Sequence, residues 1–261
     1  MLNMTALSTP RGVFSLVVEG RRDAPTLMFS NSLGTTQEMW AGQVQALAEH
    51  FSILRYDTRG HGGSVVTSGA YRITDLADDA LAIMDALELP RVDFCGLSMG
   101  GMIGLTLAMR APSRIRRLIV ANSAPHIAPV QMWNDRIAAV RQNGMSAIGD
   151  SVAQRWFTAD FIHREPDTIE AVKRMIVETP LEGYVSCCEA VRDFDVRDNM
   201  GSIALPVLVI AGDADPATPA HLTHQIARAI KGSRFELLPA AHLSNIECAS
   251  GFNRALTDFL K

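Results

Sequence analysis

The amino-acid sequence predicts an α/β protein built on a mostly parallel sheet. Short β-branched apolar runs alternate with longer stretches of helical period, which is the pattern of strands joined by crossover helices. The alternation stops once, over a long block of purely helical character, and then resumes. A Gly-x-Ser-x-Gly segment also stands where a strand-type run gives way to a helical one.

Taken in order, residues 13–18 and 26–30 read as strands, 40–49 as a helix and 51–56 as a third strand. Residues 74–87 are amphipathic, with Leu76, Ala80, Ile83, Met84 and Leu87 on one face. A strand over 92–97, a helix over 99–109 rich in small and apolar residues, and a strand over 117–121 follow. Between 123 and 193 no strand is predicted. The helix candidates there are 134–142, 147–157, 166–178 and 183–191, with Arg- and Glu-rich faces. A strand over 206–211, a helix over 221–230, a strand over 234–238 and a last helix over 246–259 restore the rhythm. The expected organisation is one α/β core formed by 1–122 and 194–261, interrupted by a helical cap over 123–193. There is no internal repeat and no low-complexity linker.

Composition excludes several function classes. The 261 residues carry 24 Lys and Arg against 28 Asp and Glu, a net charge of −4, so a binder of nucleic acid through bulk positive charge is not expected. A hydrophobic fraction of 48% with 20% charged residues excludes a disordered chain. No apolar run reaches the roughly 18 to 20 residues of a membrane-spanning helix, so no membrane partner is expected. Cys95, Cys187, Cys188 and Cys248 match neither a zinc site nor a disulfide framework; small apolar side chains in a reducing compartment are the expectation, with no metal and no cofactor. Residues 1–10 lack the charged start and apolar stretch of a secretory signal, which makes the cytoplasm the expected location.

Chemistry is concentrated in a few turns. In Gly96-Leu-Ser98-Met-Gly100 the sharp strand-to-helix turn leaves room only for small neighbours, and the N–H of Met99 faces the same space as the Ser98 hydroxyl at a helix N-terminus. A serine is a poor nucleophile until a base takes its proton. Of seven histidines, His242 follows the last strand at the C-terminal edge of the sheet and is the expected base. His221 and His224 read as surface residues and His50 as a helix-end residue. The orienting carboxylate lies between serine and histidine in chain order, where Asp213 and Asp215 compete; Asp215, deeper in the loop, is chosen, and Asp213 reads as a turn-former. Thr218 as N-cap and Pro219 at the first helical position account structurally for the residues that follow. A second oxyanion donor is expected from the loop after strand 26–30, assigned to the N–H of Leu33. Asp57-Thr-Arg-Gly-His-Gly-Gly-Ser64 has neither the spacing of a dinucleotide fingerprint nor the Lys of a P-loop, and reads as a structural loop tied down by Arg59 and Asp57.

Together the Asp57–Ser64 segment, Gly96-Leu-Ser-Met-Gly-Gly101, Gly212-Asp-Ala-Asp215 and the late His242 resemble the α/β-hydrolase superfamily over essentially the whole chain. The resemblance implies an eight-stranded, mostly parallel sheet flanked by helices, with a helical cap inserted after the sixth strand. Within the superfamily the chain most resembles the 3-oxoadipate enol-lactonases of aromatic (protocatechuate and catechol) degradation. Asn31-Ser-Leu-Gly34 replaces the more usual His-Gly entrance, and Arg55–Gly60, Phe94–Gly101 and Arg155-Trp-Phe-Thr-Ala-Asp160 are similar to that family. The activity implied is serine hydrolysis of a small anionic enol-lactone through an acyl-enzyme. An anionic substrate calls for a local positive partner: Arg136, Arg141, Arg155 and Arg164 are the cap candidates, of which Arg155 is preferred, with Trp133 and Trp156 as walls. Capped carboxylesterases and carbon–carbon bond hydrolases share the same three residues, and a ligand receptor on a hydrolase fold is a reading of another class. A haloalkane dehalogenase is excluded, because its nucleophile is Asp and position 98 is Ser.

Overall fold

The computed structural model describes residues 5–261; the first four, part of the segment read above for a targeting signal, lie outside the described residues. Its strands are β1 (Thr5–Thr9), β2 (Gly12–Gly20), β3 (Thr26–Ser30), β4 (Ser52–Tyr56), β5 (Val92–Leu97), β6 (Ile115–Ala121), β7 (Val207–Gly212) and β8 (Arg234–Leu238). They form one sheet in the order β1-β2-β4-β3-β5-β6-β7-β8. β2 runs antiparallel to both its neighbours and every other pairing is parallel. β4, β5 and β7 are buried along their whole length, as strands covered on both faces must be, and that is why they read as continuous apolar runs.

The helices are α1 (Ala41–Leu47), α2 (Ile73–Ala86), α3 (Met99–Arg110), α4 (Val130–Asn143), α5 (Ser146–Trp156), α6 (Ala159–Arg164), α7 (Pro166–Glu178), α8 (Leu181–Arg192), α9 (Ala220–Ala229), α10 (Ser244–Glu247) and α11 (Ala249–Leu260). α3 packs on β5 and β6, α9 on β7, α2 on α3 and α1 on α11. All five helices α4–α8 lie between β6 and β7 in sequence; α4 packs on α8 and α5 on α7.

The strand order sets where a site is possible. The chain leaves β3 for β4 on one side and β5 for β6 on the other, so the C-terminal ends of β3 and β5 flank a crevice at the switch point. Ser30 at the end of β3 lies in register with Gly96 near the end of β5. The loop from Asn31 and the turn at Ser98 therefore open into the same space.

Four local features differ from the sequence expectation. β1 is a largely exposed, Thr- and Ser-bearing edge strand with no apolar run, so its pairing with β2 leaves no periodic trace. The six-residue α6 is set by Thr158, whose hydroxyl accepts from the Phe161 N–H at its N-terminus. The last helix is broken at Cys248 (φ −119°, ψ 49°) into α10 and α11. Thr218 does not cap α9, which starts at Ala220; its hydroxyl is engaged elsewhere, as described below. No helix of the described residues is long and apolar enough to cross a membrane, and among them no three His, Cys, Asp or Glu side chains cluster to hold a metal.

The sheet makes a graded stability test. Leu118 in β6 is fully buried, whereas Leu237 in edge strand β8 is 52% exposed. Leu118→Ala is expected to cost about 2–5 kcal/mol in urea denaturation, and Leu237→Ala less than about 0.5 kcal/mol. Equal costs at the two positions would contradict this strand order.

Candidate active site

The sharpest local feature is at Ser98, between β5 and α3, where the backbone takes φ 57° and ψ −116°. A non-glycine residue held there costs on the order of 1–3 kcal/mol, so the surroundings must enforce it. They do so through close packing and hydrogen bonds. A Cβ added to Gly96 would lie 2.0 Å from the Gly100 carbonyl oxygen, and one added to Gly100 would lie 2.1 Å from the Ser30 carbonyl oxygen. Ser98 N–H donates to the Ala121 carbonyl (2.9 Å), Ser123 Oγ donates to the Ser98 carbonyl (2.8 Å), and Gly100 N–H donates to the Asn31 carbonyl (3.0 Å). The turn is thereby pinned to the end of β6 and to the loop after β3.

That loop forms the other side of the corner at Ser98. Asn31 is held by its own side chain, Nδ2 donating to the Tyr56 carbonyl (2.8 Å) and Oδ1 accepting from Trp40 Nε1 (2.9 Å). Leu33 then lines the same cavity as Ser98. Among the described residues neither the Leu33 N–H nor the Met99 N–H is directed to an acceptor within the chain. Met99 is the first residue of α3, so its N–H has no intrahelical partner.

Asp215 and His242 come from the loops after β7 and β8. His242 Nδ1 lies 2.8 Å from Asp215 Oδ2, and both side chains are almost wholly buried. Because an ionised carboxylate only accepts, Nδ1 carries the proton and Nε2 is the ring's open nitrogen. Asp215 is itself fully engaged: Thr218 Oγ1 donates to Oδ2 (2.7 Å), Asn122 Nδ2 donates to Oδ2 (3.0 Å), and the Ala217 and Thr218 N–H groups donate to Oδ1 (2.8 and 3.0 Å). Burial alone would push this carboxyl up, but the His242 charge and these hydrogen bonds outweigh it and hold it at about 2. Asp213 is exposed and accepts instead from the Ala240 N–H (3.2 Å), so it serves the turn. His50, His163, His221 and His224 are exposed and line no part of this cavity, and His126 bonds the Phe194 carbonyl.

Ser98, His242, Leu33, Trp133, Arg155 and Trp156 all line one small cavity of about 80 Å³. Arg136 lines it too. Trp156 sits with its ring 5.9 Å from that of His242, and the Arg136 guanidinium lies 4.9 Å over the Trp133 ring. The other two cap candidates point elsewhere: Arg141 faces Glu189 at 4.0 Å and Arg164 stacks over Phe161. Among the described residues neither Arg136 nor Arg155 pairs with a carboxylate. The Arg155 pKa is lowered by burial and by the Arg136 charge beside it. Among the described residues Ser32 Oγ and Trp133 Nε1 are buried without a hydrogen-bond partner, and both residues line the same cavity. The walls thus present positive charge and unused donors to whatever enters.

Several of these groups carry no sequence signature. Asn122 follows β6 with no motif around it, yet it ties Asp215 to the Ala241 carbonyl (3.1 Å) and accepts from Ser244 Oγ (2.5 Å). Thr218 looked like a helix cap. Ser32 stands in an ordinary Asn-Ser-Leu-Gly turn. Only the close approach of distant segments reveals them.

Comparison with known proteins places these features in a family. A profile of the alpha/beta hydrolase fold matches residues 25–248. A protein of Acinetobacter baylyi (strain ATCC 33305 / BD413 / ADP1) named 3-oxoadipate enol-lactonase 2 is 42% identical over 242 residues, covering 93% of this chain and 91% of the relative. The same organism's 3-oxoadipate enol-lactonase 1 is 38% identical over 247 residues, covering 95% and 92%. The crystal structure of the enol-lactonase from Burkholderia xenovorans LB400 superposes with a TM-score of 0.96 at 43% identity, covering 98% of this chain and 99% of that one.

The anchoring of Asp215 yields a pH signature. Its folded pKa lies below the ordinary 3.8, so the stability it supplies is present above about pH 3.8 and is lost as pH falls through about 2. Asn122→Ala removes one donor and is expected to raise the Asp215 pKa measurably in a carboxyl ¹³C NMR titration. A carboxyl still titrating at about 2 in that variant would show that Asn122 contributes nothing to the anchoring.

Proposed function

This chain belongs to the α/β-hydrolase fold family, and from that premise we propose that it is a serine hydrolase opening 3-oxoadipate enol-lactone, or a close anionic analogue, to the 3-oxo diacid in aromatic degradation. The observation that carries this reading is the meeting, in one small cavity, of Ser98 and His242 with two arginines that pair with no carboxylate among the described residues. The similarity to two named 3-oxoadipate enol-lactonases supports the substrate class.

The reaction then runs as acyl transfer in two halves. Ser98 Oγ attacks the lactone carbonyl carbon while His242 Nε2 takes its proton, and Asp215 stabilises the imidazolium through Nδ1. The carbonyl oxygen becomes an oxyanion facing the Leu33 and Met99 N–H groups, donors aimed where charge develops and already fixed before reaction. Collapse breaks the ring C–O bond, and His242 returns the proton to the departing enol oxygen. That enol is a better leaving group than an alkoxide, and its conversion to the ketone draws the reaction forward. Water, deprotonated by His242 Nε2, then attacks the acyl carbon; collapse breaks the bond to Ser98 Oγ, which takes the proton back from His242 as the free acid leaves. Across the cycle one water is consumed and both ends of the product are accounted for.

The five helices α4–α8 act in this reading as a cap that supplies the substrate's counter-charge. Arg136 and Arg155 hold the carboxylate of the ring substituent, the role for which Arg155 stood out among the cap arginines, and Trp133 and Trp156 flank the ring. Fork-shaped guanidinium groups suit a carboxylate, and Arg136 stacked on Trp133 is held in place for it. The four free cysteines suit a reducing cytoplasm.

Two variants test the assignment with lactone generated in situ and a neutral p-nitrophenyl ester side by side. Ser98→Ala is expected to abolish hydrolysis of both while leaving the thermal unfolding profile intact. Arg155→Met is expected to raise KM for the anionic lactone about ten- to a hundredfold, the scale of a lost charged hydrogen bond, and to leave the neutral ester unaffected. A wild-type preference for the neutral ester over the lactone would favour a general esterase, and an equal effect of Arg155→Met on both substrates would refute the carboxylate role.

A further inference from the structure

The segment from Asp57 to Ser64 lines no part of the cavity, yet it is bound more heavily than a connecting loop requires. Arg59 makes a two-pronged ion pair to buried Asp79, Nε to Oδ2 and Nη2 to Oδ1, both at 2.6 Å. Asp57 accepts from the Gln37 N–H (2.8 Å) and the Gly63 N–H (3.1 Å), and Ser64 Oγ donates back to the Asp57 carbonyl (2.6 Å). From above, α8 of the cap presses on it so closely that a Cβ added to Gly60 would lie 2.7 Å from Gly183 Cα. At the centre stands His61, wholly buried, its own N–H donating to the Thr58 carbonyl (2.9 Å).

What this rigid frame presents is one ring nitrogen. His61 Nε2 accepts a 2.8 Å hydrogen bond from the Gly34 N–H, while Nδ1 faces the Arg59 carbonyl at 3.3 Å. Since Nε2 accepts, the proton sits on Nδ1, directed to the one acceptor available there. Burial pushes the His61 pKa down to about 4, so the ring stays neutral and the acceptor stays available. The residue it holds is the one after Leu33. The Leu33–Gly34 peptide plane is thus fixed on one side by His61, and the Ser32 carbonyl is fixed on the other by the Thr35 hydroxyl (2.8 Å) and the Thr35 N–H (3.2 Å). The Ser32 N–H meets only the Met39 thioether, a weak acceptor. Gly34 itself has φ +80°, a conformation that leaves the turn free of side-chain steric support.

We propose that His61 is a positioning residue: its bare Nε2, clamped by the 57–64 loop beneath α8, fixes the 31–35 loop so that the Leu33 N–H points at the developing oxyanion. This rests on the serine-hydrolase reading above. It assigns a task to a segment that otherwise touches neither substrate nor Ser98, and it links the cap helix α8 to the oxyanion loop through Gly183, Gly60 and His61. A loosened donor weakens transition-state stabilisation more than ground-state binding, so the effect belongs in kcat.

The test compares His61→Met, which keeps apolar bulk but removes the acceptor, with His61→Gln, whose amide oxygen reaches the Nε2 position. His61→Met is expected to lower kcat for the lactone about ten- to a hundredfold, somewhat less than loss of an oxyanion donor outright, with KM within about threefold. His61→Gln is expected to restore most of that loss. Wild-type kcat in His61→Met, or a His61→Gln variant that folds and is no better than His61→Met, would overturn the proposal while Ser98→Ala remained inactive. Full turnover in Ser98→Ala would overturn the serine-hydrolase reading and this one with it. Long-range ¹H–¹⁵N spectra of the unmodified protein give an answer independent of any variant's folding: a proton on Nδ1 and a bare Nε2 at His61 are expected, and a protonated Nε2 would refute the clamp.

Discussion

The structure turns on one backbone conformation, the positive φ of Ser98 between β5 and α3. It costs free energy locally, and much of the surrounding sequence is explained by what holds it. Gly96 and Gly100 are small because backbone oxygens occupy the space of any side chain, and Ser123 and Ala121 grip the turn from β6. The same geometry opens α3 at Met99, whose N–H has no intrahelical partner. The Gly100 bond to the Asn31 carbonyl then couples the turn to the loop that supplies Leu33. The Ser98 turn and the loop carrying Leu33 are therefore one assembly, set by strand order and by contacts too short for alternatives.

Electrostatics in the cavity run against the overall charge. The chain carries a net −4, yet the wall facing Ser98 holds two arginines unpaired with acids, and the single carboxylate behind His242 is neutralised by four donors besides the imidazole. Other buried or half-buried arginines are matched, as Arg59 is to Asp79, Arg55 to Glu19 and Arg116 to Asp93. Leaving Arg136 and Arg155 without such partners costs stability that an anionic ligand would offset. This local positive charge is carried by the helices between β6 and β7.

Ser98, Asp215, His242 and Leu33 were legible in the sequence because each follows a strand in a turn whose residue types report its geometry. The structure brings all four together. The central strands were legible too, since burial on both faces forces unbroken apolar runs. What stayed hidden has a different physical origin. β1 gains its place from pairing with β2, and an exposed edge strand needs no apolar pattern. α6 is too short for periodicity to register. Asn122, Thr218 and Ser32 act through segments far apart in the chain, and Thr218 misled because Thr before Pro at a helix start has an ordinary local explanation. His61 sat in a motif whose role could be described only as structural until its ring was seen to meet Gly34.

The proposed reaction requires that Ser98 be the group that the lactone acylates. A fluorophosphonate carrying a carboxylate tail mimics the charge and shape of the attacked lactone and traps an activated serine irreversibly. Peptide mapping by mass spectrometry should find one label per chain, on the peptide containing Ser98, with lactone turnover falling in step with labelling. A label on any other residue, or undiminished turnover by fully labelled protein, would contradict it.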